Sequence, residues 1–120
     1  MKKLLLIFTV LGLTLSSFAG VKIKDVIGTW IYEVVSEGQI LTGKIVFEKG
    51  NPGVAGKVFT DNGEVYDLED IQIKEDNVLS FSLKIDGQRH MVSVTVQKDK
   101  FDGTVSNEER KIPISGEKIK

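Results

Sequence analysis

Residues 78–97, VLSFSLKI-DG-QRHMVSVTVQ, are two alternating runs on either side of an Asp-Gly pair. In the first run Leu79, Phe81, Leu83 and Ile85 alternate with Ser80, Ser82 and Lys84. In the second, His90, Val92, Val94 and Val96 share one face. A period of two means strands with one face buried and one wet. Asp86-Gly87 suits a two-residue hairpin, whose central residues need positive φ.

Working outward from this hairpin, the same pattern repeats in both directions. Toward the C-terminus, Lys98-Asp99 turns into Lys100 to Ser106, where Phe101, Gly103 and Val105 fall together. Asn107-Glu108-Glu109 turns again into Arg110 to Ile114, with Ile112 and Ile114 inward. Pro113 cannot donate to a ladder, so it belongs where no bond is needed, or at an edge. Toward the N-terminus, Glu75-Asp76-Asn77 precedes the hairpin. Before that turn lies Glu64 to Lys74, whose apolar positions change parity from Leu68 to Ile71 and Ile73. A bulge near Glu69-Asp70 accounts for that change. Asp61-Asn62-Gly63 joins this segment to Val54–Thr60, and Lys49 to Gly53 is the strongest loop signal. Gln39 to Glu48 places Leu41, Gly43, Ile45 and Phe47 on one face. Across the Glu37-Gly38 turn, Thr29 to Ser36 does the same with Trp30, Tyr32 and Val34. Val21 to Ile27 reads equally as a strand end or one helical turn.

The expectation is therefore all-β: a single eight-stranded antiparallel up-and-down barrel with a short N-terminal turn and no substantial helix. Short sequential connections imply antiparallel pairing, since parallel strands need long crossovers. Eight strands is the size at which side chains just fill the interior or leave room for one small ligand. The alternative is an open sandwich of two four-stranded sheets, which the uniformly short turns favour less.

The N-terminus is set apart. Met1-Lys2-Lys3 is positive, Leu4 to Leu15 is uncharged, and Ser17 and Ala19 are small residues at the positions a signal peptidase reads. This is the layout of a secretory signal peptide over residues 1–19, and the apolar run is shorter than the roughly 20 residues that span a bilayer. Residues 20–120 then form one barrel domain, periplasmic or secreted, with no membrane span after cleavage. Without Lys2 and Lys3, 14 basic residues face 17 acidic ones. That mild acidity gives no reason to expect nucleic acid as a partner. With no cysteine, stability must come from the sheet and its core rather than from disulfides.

Gly28-Thr29-Trp30 resembles the Gly-x-Trp signature that opens calycin barrels such as lipocalins, fatty-acid-binding proteins and avidins. Gly63-Glu64, Asn77 to Phe81 and Gly103 to Val105 are similar to segments of small exported lipocalin-like domains of Bacteroidetes-type bacteria. The resemblance covers most of Gly28 to Gly116. It implies that Trp30 sits at the closed end of a barrel, with a basic residue from near the last strand packed across it. Arg110 is the first candidate for that residue, with Lys111 and Arg89 as alternatives. The lipocalin Thr-Asp-Tyr motif, a long C-terminal helix and a helical pair after the first strand are all missing from the sequence.

Catalytic and metal chemistry find little support. His90 is the only histidine, and there is no cysteine, so a histidine-based metal site or a nucleophilic triad lacks partners. Glu69-Asp70, Glu75-Asp76 and Glu108-Glu109 fall at turns or bulges, where carboxylates solvate loops. No cofactor or metal is implied, and an enzyme is not expected. The expected function is an exported, non-catalytic binding protein for a small apolar or amphipathic molecule in the barrel mouth. Tyr32 and His90 are the candidate ligand residues. Phe59 and Tyr66, beside the Asp61–Gly63 turn, are candidates for stacking on a ligand or a protein partner if both face out. The alternative is an interaction or inhibitor module with a solid core, acting through its loops.

Overall fold

The computed structural model describes residues 22–51 and 53–119. The signal-peptide reading of residues 1–19 lies outside the described residues. A single helical turn, α1 (Ile23–Val26), resolves the ambiguity of the segment before Gly28. Nine strands follow: β1 (Gly28–Ser36), β2 (Gln39–Lys49), β3 (Val54–Thr60), β4 (Val65–Asp67), β5 (Glu69–Lys74), β6 (Val78–Ile85), β7 (Gln88–Gln97), β8 (Lys100–Ser106) and β9 (Lys111–Lys118). A short 3-10 turn at Glu75–Asn77 precedes β6.

All pairings are antiparallel, in the order β4-β3-β2-β1-β9-β8-β7-β6-β5. The two outermost strands of this sheet, β4 and β5, are separated by Leu68 alone. The sheet thus comes round into a nearly closed barrel whose last join is the chain itself. This corrects the expected count of eight. The fourth segment is one path through the wall, but it changes partner midway. Tyr66 lies opposite Val58 on β3, whereas Ile73 lies opposite Leu79 on β6. At the changeover the Leu68 amide donates to the Gly56 carbonyl at 2.9 Å. The bulge expected near Glu69-Asp70 is present: the register shifts between Glu69 and Gln72, and Asp70 has a φ of 52°.

The bulge is held by Arg89. Its guanidinium lies 3.2 Å from the Asp70 carboxylate and 3.5 Å from that of Glu69. The same side chain donates to Ser82 Oγ at 2.9 Å. Ser82 is a fully buried polar residue, and such a group needs a partner.

The inward faces are those the alternation implies. Trp30, Ile45, Phe47, Leu79, Val94, Val96 and Phe101 pack the half of the barrel nearest α1. The Trp30 and Phe101 rings lie 5.2 Å apart at a tilt, and Phe47 meets Phe81 edge-on at 5.7 Å. Trp30 has no exposed surface, and its indole Nε1 donates to the Val26 carbonyl of α1 at 2.9 Å. A buried indole N–H requires such an acceptor, so the helical turn both plugs this end and satisfies its largest side chain.

The basic residue over Trp30 is Lys118, not Arg110. Lys118 Nζ sits 5.6 Å from the ring centroid and donates to the Asp25 carbonyl at 3.0 Å. Arg110 lies at the opposite end of the barrel, paired with Glu37 at 2.9 Å, and Arg89 is taken up by the bulge. Two facts put Lys118 there. β9 runs on to Lys118, so Ile112, Ile114, Gly116 and Lys118 all keep the inward parity. Gly28, at φ +140°, leaves room: a Cβ there would come within 2.7 Å of Lys118 Cε.

Candidate functional site

The half of the barrel away from Trp30 is hollow. A cavity of about 590 Å³ opens among the turns β1–β2, β3–β4, β6–β7 and β8–β9. This lies within the range of small-molecule sites, roughly 300–1,000 Å³. Its wall is mostly aliphatic, from inward positions such as Val34, Leu83, Val92, Val105 and Ile112. The cause is the taper in side-chain size along the barrel: the Trp30 end is filled by aromatic rings, while the same strands present mostly valine, leucine and isoleucine toward the mouth. Ile40 and Leu41 reach the lip, and they are 63% and 51% exposed although the cavity is beside them. Nothing among the described residues packs above them, so an apolar surface stands open at the entrance.

Polar groups enter this wall at a few points. Tyr32, His90 and Tyr66 all line the cavity. Tyr32 is only 8% exposed, and its hydroxyl has no hydrogen-bond partner among the described residues. Burial raises its pKa above the ordinary 10.0, and the nearby Asp61 charge raises it further. The Tyr66 pKa is also raised, by desolvation first, then by a hydrogen bond to the Glu64 carboxylate and by the charges of Glu64 and Asp86. His90 sits opposite Leu83 on β6 and is half-buried.

Phe59 and Tyr66, whose faces the sequence leaves open, share neither an exposed surface nor a buried one. Val58 opposes Tyr66 and Phe59 opposes Val65 across the β3–β4 ladder. Adjacent positions of a strand face opposite sides, so Tyr66 points inward and Phe59 outward. Phe59 is 37% exposed on the outer wall and does not line the cavity. Of the four candidates, the structure brings Tyr32, His90 and Tyr66 together and leaves Phe59 out.

Asp61, which the sequence places in a turn, and Glu64, which it places at the start of the next strand, also line the cavity. The β3–β4 connection is a four-residue loop, closed by the Thr60 amide donating to the Glu64 carbonyl at 2.9 Å. Thr60 Oγ1 accepts from the Glu64 amide at 3.0 Å and donates to Asn62 Oδ1. These bonds fix the loop and hold both carboxylates at the mouth. The available signal was Thr60 itself, whose side chain can tie a turn to its own backbone.

Tyr32 depends on Gly43, its partner across the β1–β2 ladder. A Cβ at Gly43 would lie 2.5 Å from Tyr32 Oη and 2.5 Å from the Phe59 carbonyl. Gly43→Ala is expected to displace the ring and cost on the order of 1–3 kcal/mol, the usual range for overpacking. Urea unfolding of the variant reads this, and an unchanged midpoint would show that the ring yields freely.

The tyrosines predict an alkaline dependence. Both have folded pKa values above 10.0, the value taken for the unfolded chain. Below pH 10 both phenols are neutral in either state, and their contribution to stability is fully present. As pH rises past 10, the unfolded chain loses these protons more readily than the native one, so stability falls through the folded pKa values. The chain has two tyrosines, so an ultraviolet phenolate titration is assignable. Two transitions above 10.0 are expected in the folded protein, and Tyr32→Phe should leave only one. A tyrosine ionising at or below 10.0 in the folded protein would contradict this.

Among the described residues, no group of three or more His, Cys, Asp or Glu is placed to hold a metal ion. No described helix is long and apolar enough to cross a membrane. No protein-family profile matches the chain, and no curated protein matches it. Among solved structures, the chain is similar to a de novo designed fluorescence-activating β-barrel, with a TM-score of 0.59 at 14% identity. The likeness covers 81% of this chain and 96% of that one. At this identity it speaks for the barrel fold alone.

Proposed function

We propose that the protein is an exported, non-catalytic carrier of a small apolar or amphipathic molecule held in the mouth of its barrel. The observation that carries this reading is the cavity of about 590 Å³ with aliphatic walls and a few converging polar groups. Concave apolar surface of this extent is a site for a ligand that removes it from water. The position of Trp30 at the closed end, with Lys118 across it, supports a kinship with calycin barrels. We place it with the small lipocalin-like domains of Bacteroidetes-type bacteria. The apolar N-terminal run supports export to the periplasm or exterior.

The test is native mass spectrometry of protein recovered from the exported fraction after expression of the full chain. A mature mass beginning near Gly20, carrying a small co-purifying molecule that is lost on denaturation, is the expected result. A bare mature protein that also fails to take up lipophilic probes would overturn the carrier reading.

A second reading, a protein-interaction module, draws on the outer wall. Phe59 and Val65 form an exposed cross-strand pair there. On that reading Phe59→Ala abolishes partner capture while a blocked cavity leaves it intact.

A further inference from the structure

We infer that the ligand of this cavity is an apolar cation: a hydrocarbon or aromatic body bearing an ammonium or similar positive group held at the mouth. This rests on the carrier reading above and specifies its chemistry. Among the described residues, the charged side chains lining the cavity with fixed sign are Asp61 and Glu64, and no lysine or arginine lines it. The surrounding end of the barrel carries the same sign. Its four connections hold Glu37, Asp61, Glu64, Asp86, Glu108 and Glu109 against one cation, Arg110. Arg110 is itself neutralised by Glu37 at 2.9 Å.

Acidic residues on a surface are usually just solvated, so the decisive observation lies deeper. Tyr32 is more than nine-tenths buried and lines the cavity, and its hydroxyl has no hydrogen-bond partner among the described residues. An unsatisfied buried hydroxyl is a cost that a bound group relieves. A phenol oxygen accepts as well as donates, so it can receive an N–H from an ammonium whose charge faces Asp61. Tyr66 and Glu64 form a second phenol–carboxylate pair on the same wall. Together they offer acceptors to a donor-rich cation on one side of the mouth, while Ile40 and Leu41 on the lip meet its apolar body. An anionic head would face two carboxylates, with no lysine or arginine among the described lining residues to receive it, and like-charge juxtaposition is strongly unfavourable.

The experiment compares three probes of one chain length, decylammonium, decanol and decanoate, by isothermal titration calorimetry below their micelle concentrations. Decylammonium is expected to bind roughly tenfold or more tightly than decanoate, with decanol between, as charge complementarity at a partly desolvated site implies. Asp61→Asn combined with Glu64→Gln should bring that ratio close to one and leave decanol binding nearly unchanged. Both substitutions are nearly isosteric and lie in an exposed loop, and circular dichroism checks the fold. Equal or tighter binding of decanoate, with decanol also bound, would overturn the cation inference and leave the carrier reading standing. A preference for decylammonium that persists in the double variant would overturn the assignment to these carboxylates. Failure of all three probes to bind would overturn the carrier reading and this inference with it.

Discussion

Trp30→Ala is expected to destabilise the protein by about 3–5 kcal/mol, the range for truncating a buried large aromatic. Three losses coincide at this residue. The cavity left behind adjoins Phe101, whose ring is 5.2 Å away, and the strands on either side cannot collapse into it without breaking ladders. The Val26 carbonyl loses the indole donor that ties α1 to the barrel. Lys118 loses the ring beneath its ammonium, a contact worth roughly 0.5–2 kcal/mol in other proteins. Domains of this size have total stabilities of about 5–15 kcal/mol, so a large part of the folded population is at stake. Urea unfolding of the variant measures it. A loss below about 1 kcal/mol would mean that the closed end is not the structural anchor described here.

Val105→Trp is expected to do the reverse: remove binding and spare the fold. Val105 is half-buried on β8, opposite Val92 and Ile112, and lines the cavity. A larger side chain there grows into empty space rather than into packed atoms. Cavity filling commonly adds about 0.5–2 kcal/mol of stability, and the indole N–H can reach the wet mouth. A ligand in the same space loses its contacts with the wall. Its affinity should fall roughly a hundredfold, which corresponds to about 3 kcal/mol. Paired thermal unfolding and probe titration read both quantities on one sample. Undiminished binding would move the site out of the barrel.

The architecture was legible wherever side chains alternate cleanly, as in β6 and β7, because apolar positions two apart leave one choice of inward face. It was less legible in three places. The fourth segment reads as one strand because its pattern records which face is inward, and not which neighbour supplies the hydrogen bonds. Only the Leu68 changeover divides it. The faces of Phe59 and Tyr66 are ambiguous in the sequence because Val58 and Phe59 are both apolar, so parity comes from the register of the β3–β4 hairpin. Lys118 is hard to recognise in the sequence because a lysine beyond the last apolar alternation reads as solvated. Yet it continues the inward parity of Ile112, Ile114 and Gly116, and that continuation was the available signal. In the site, the sequence offered Tyr32 and His90 through their place on apolar faces. It concealed Asp61 and Glu64, since a turn's carboxylates look alike whether the turn faces bulk water or the mouth of a cavity.

The pairing of β1 with β9 has a consequence for chain entropy. Of the eight ladders, seven join strands that follow one another in sequence, and β1–β9 alone joins the two ends of the barrel-forming chain. Local hairpins close short loops. The β1–β9 ladder must close the whole span from Trp30 to Lys118, although closure entropy grows only slowly, by about 0.6 kcal/mol per doubling of loop length. The long-range ordering of the molecule is thus concentrated in one seam, from Trp30 opposite Lys118 to Val34 opposite Ile114. The ring and the ammonium that seal the closed end are therefore also the fastening between the first and last strands.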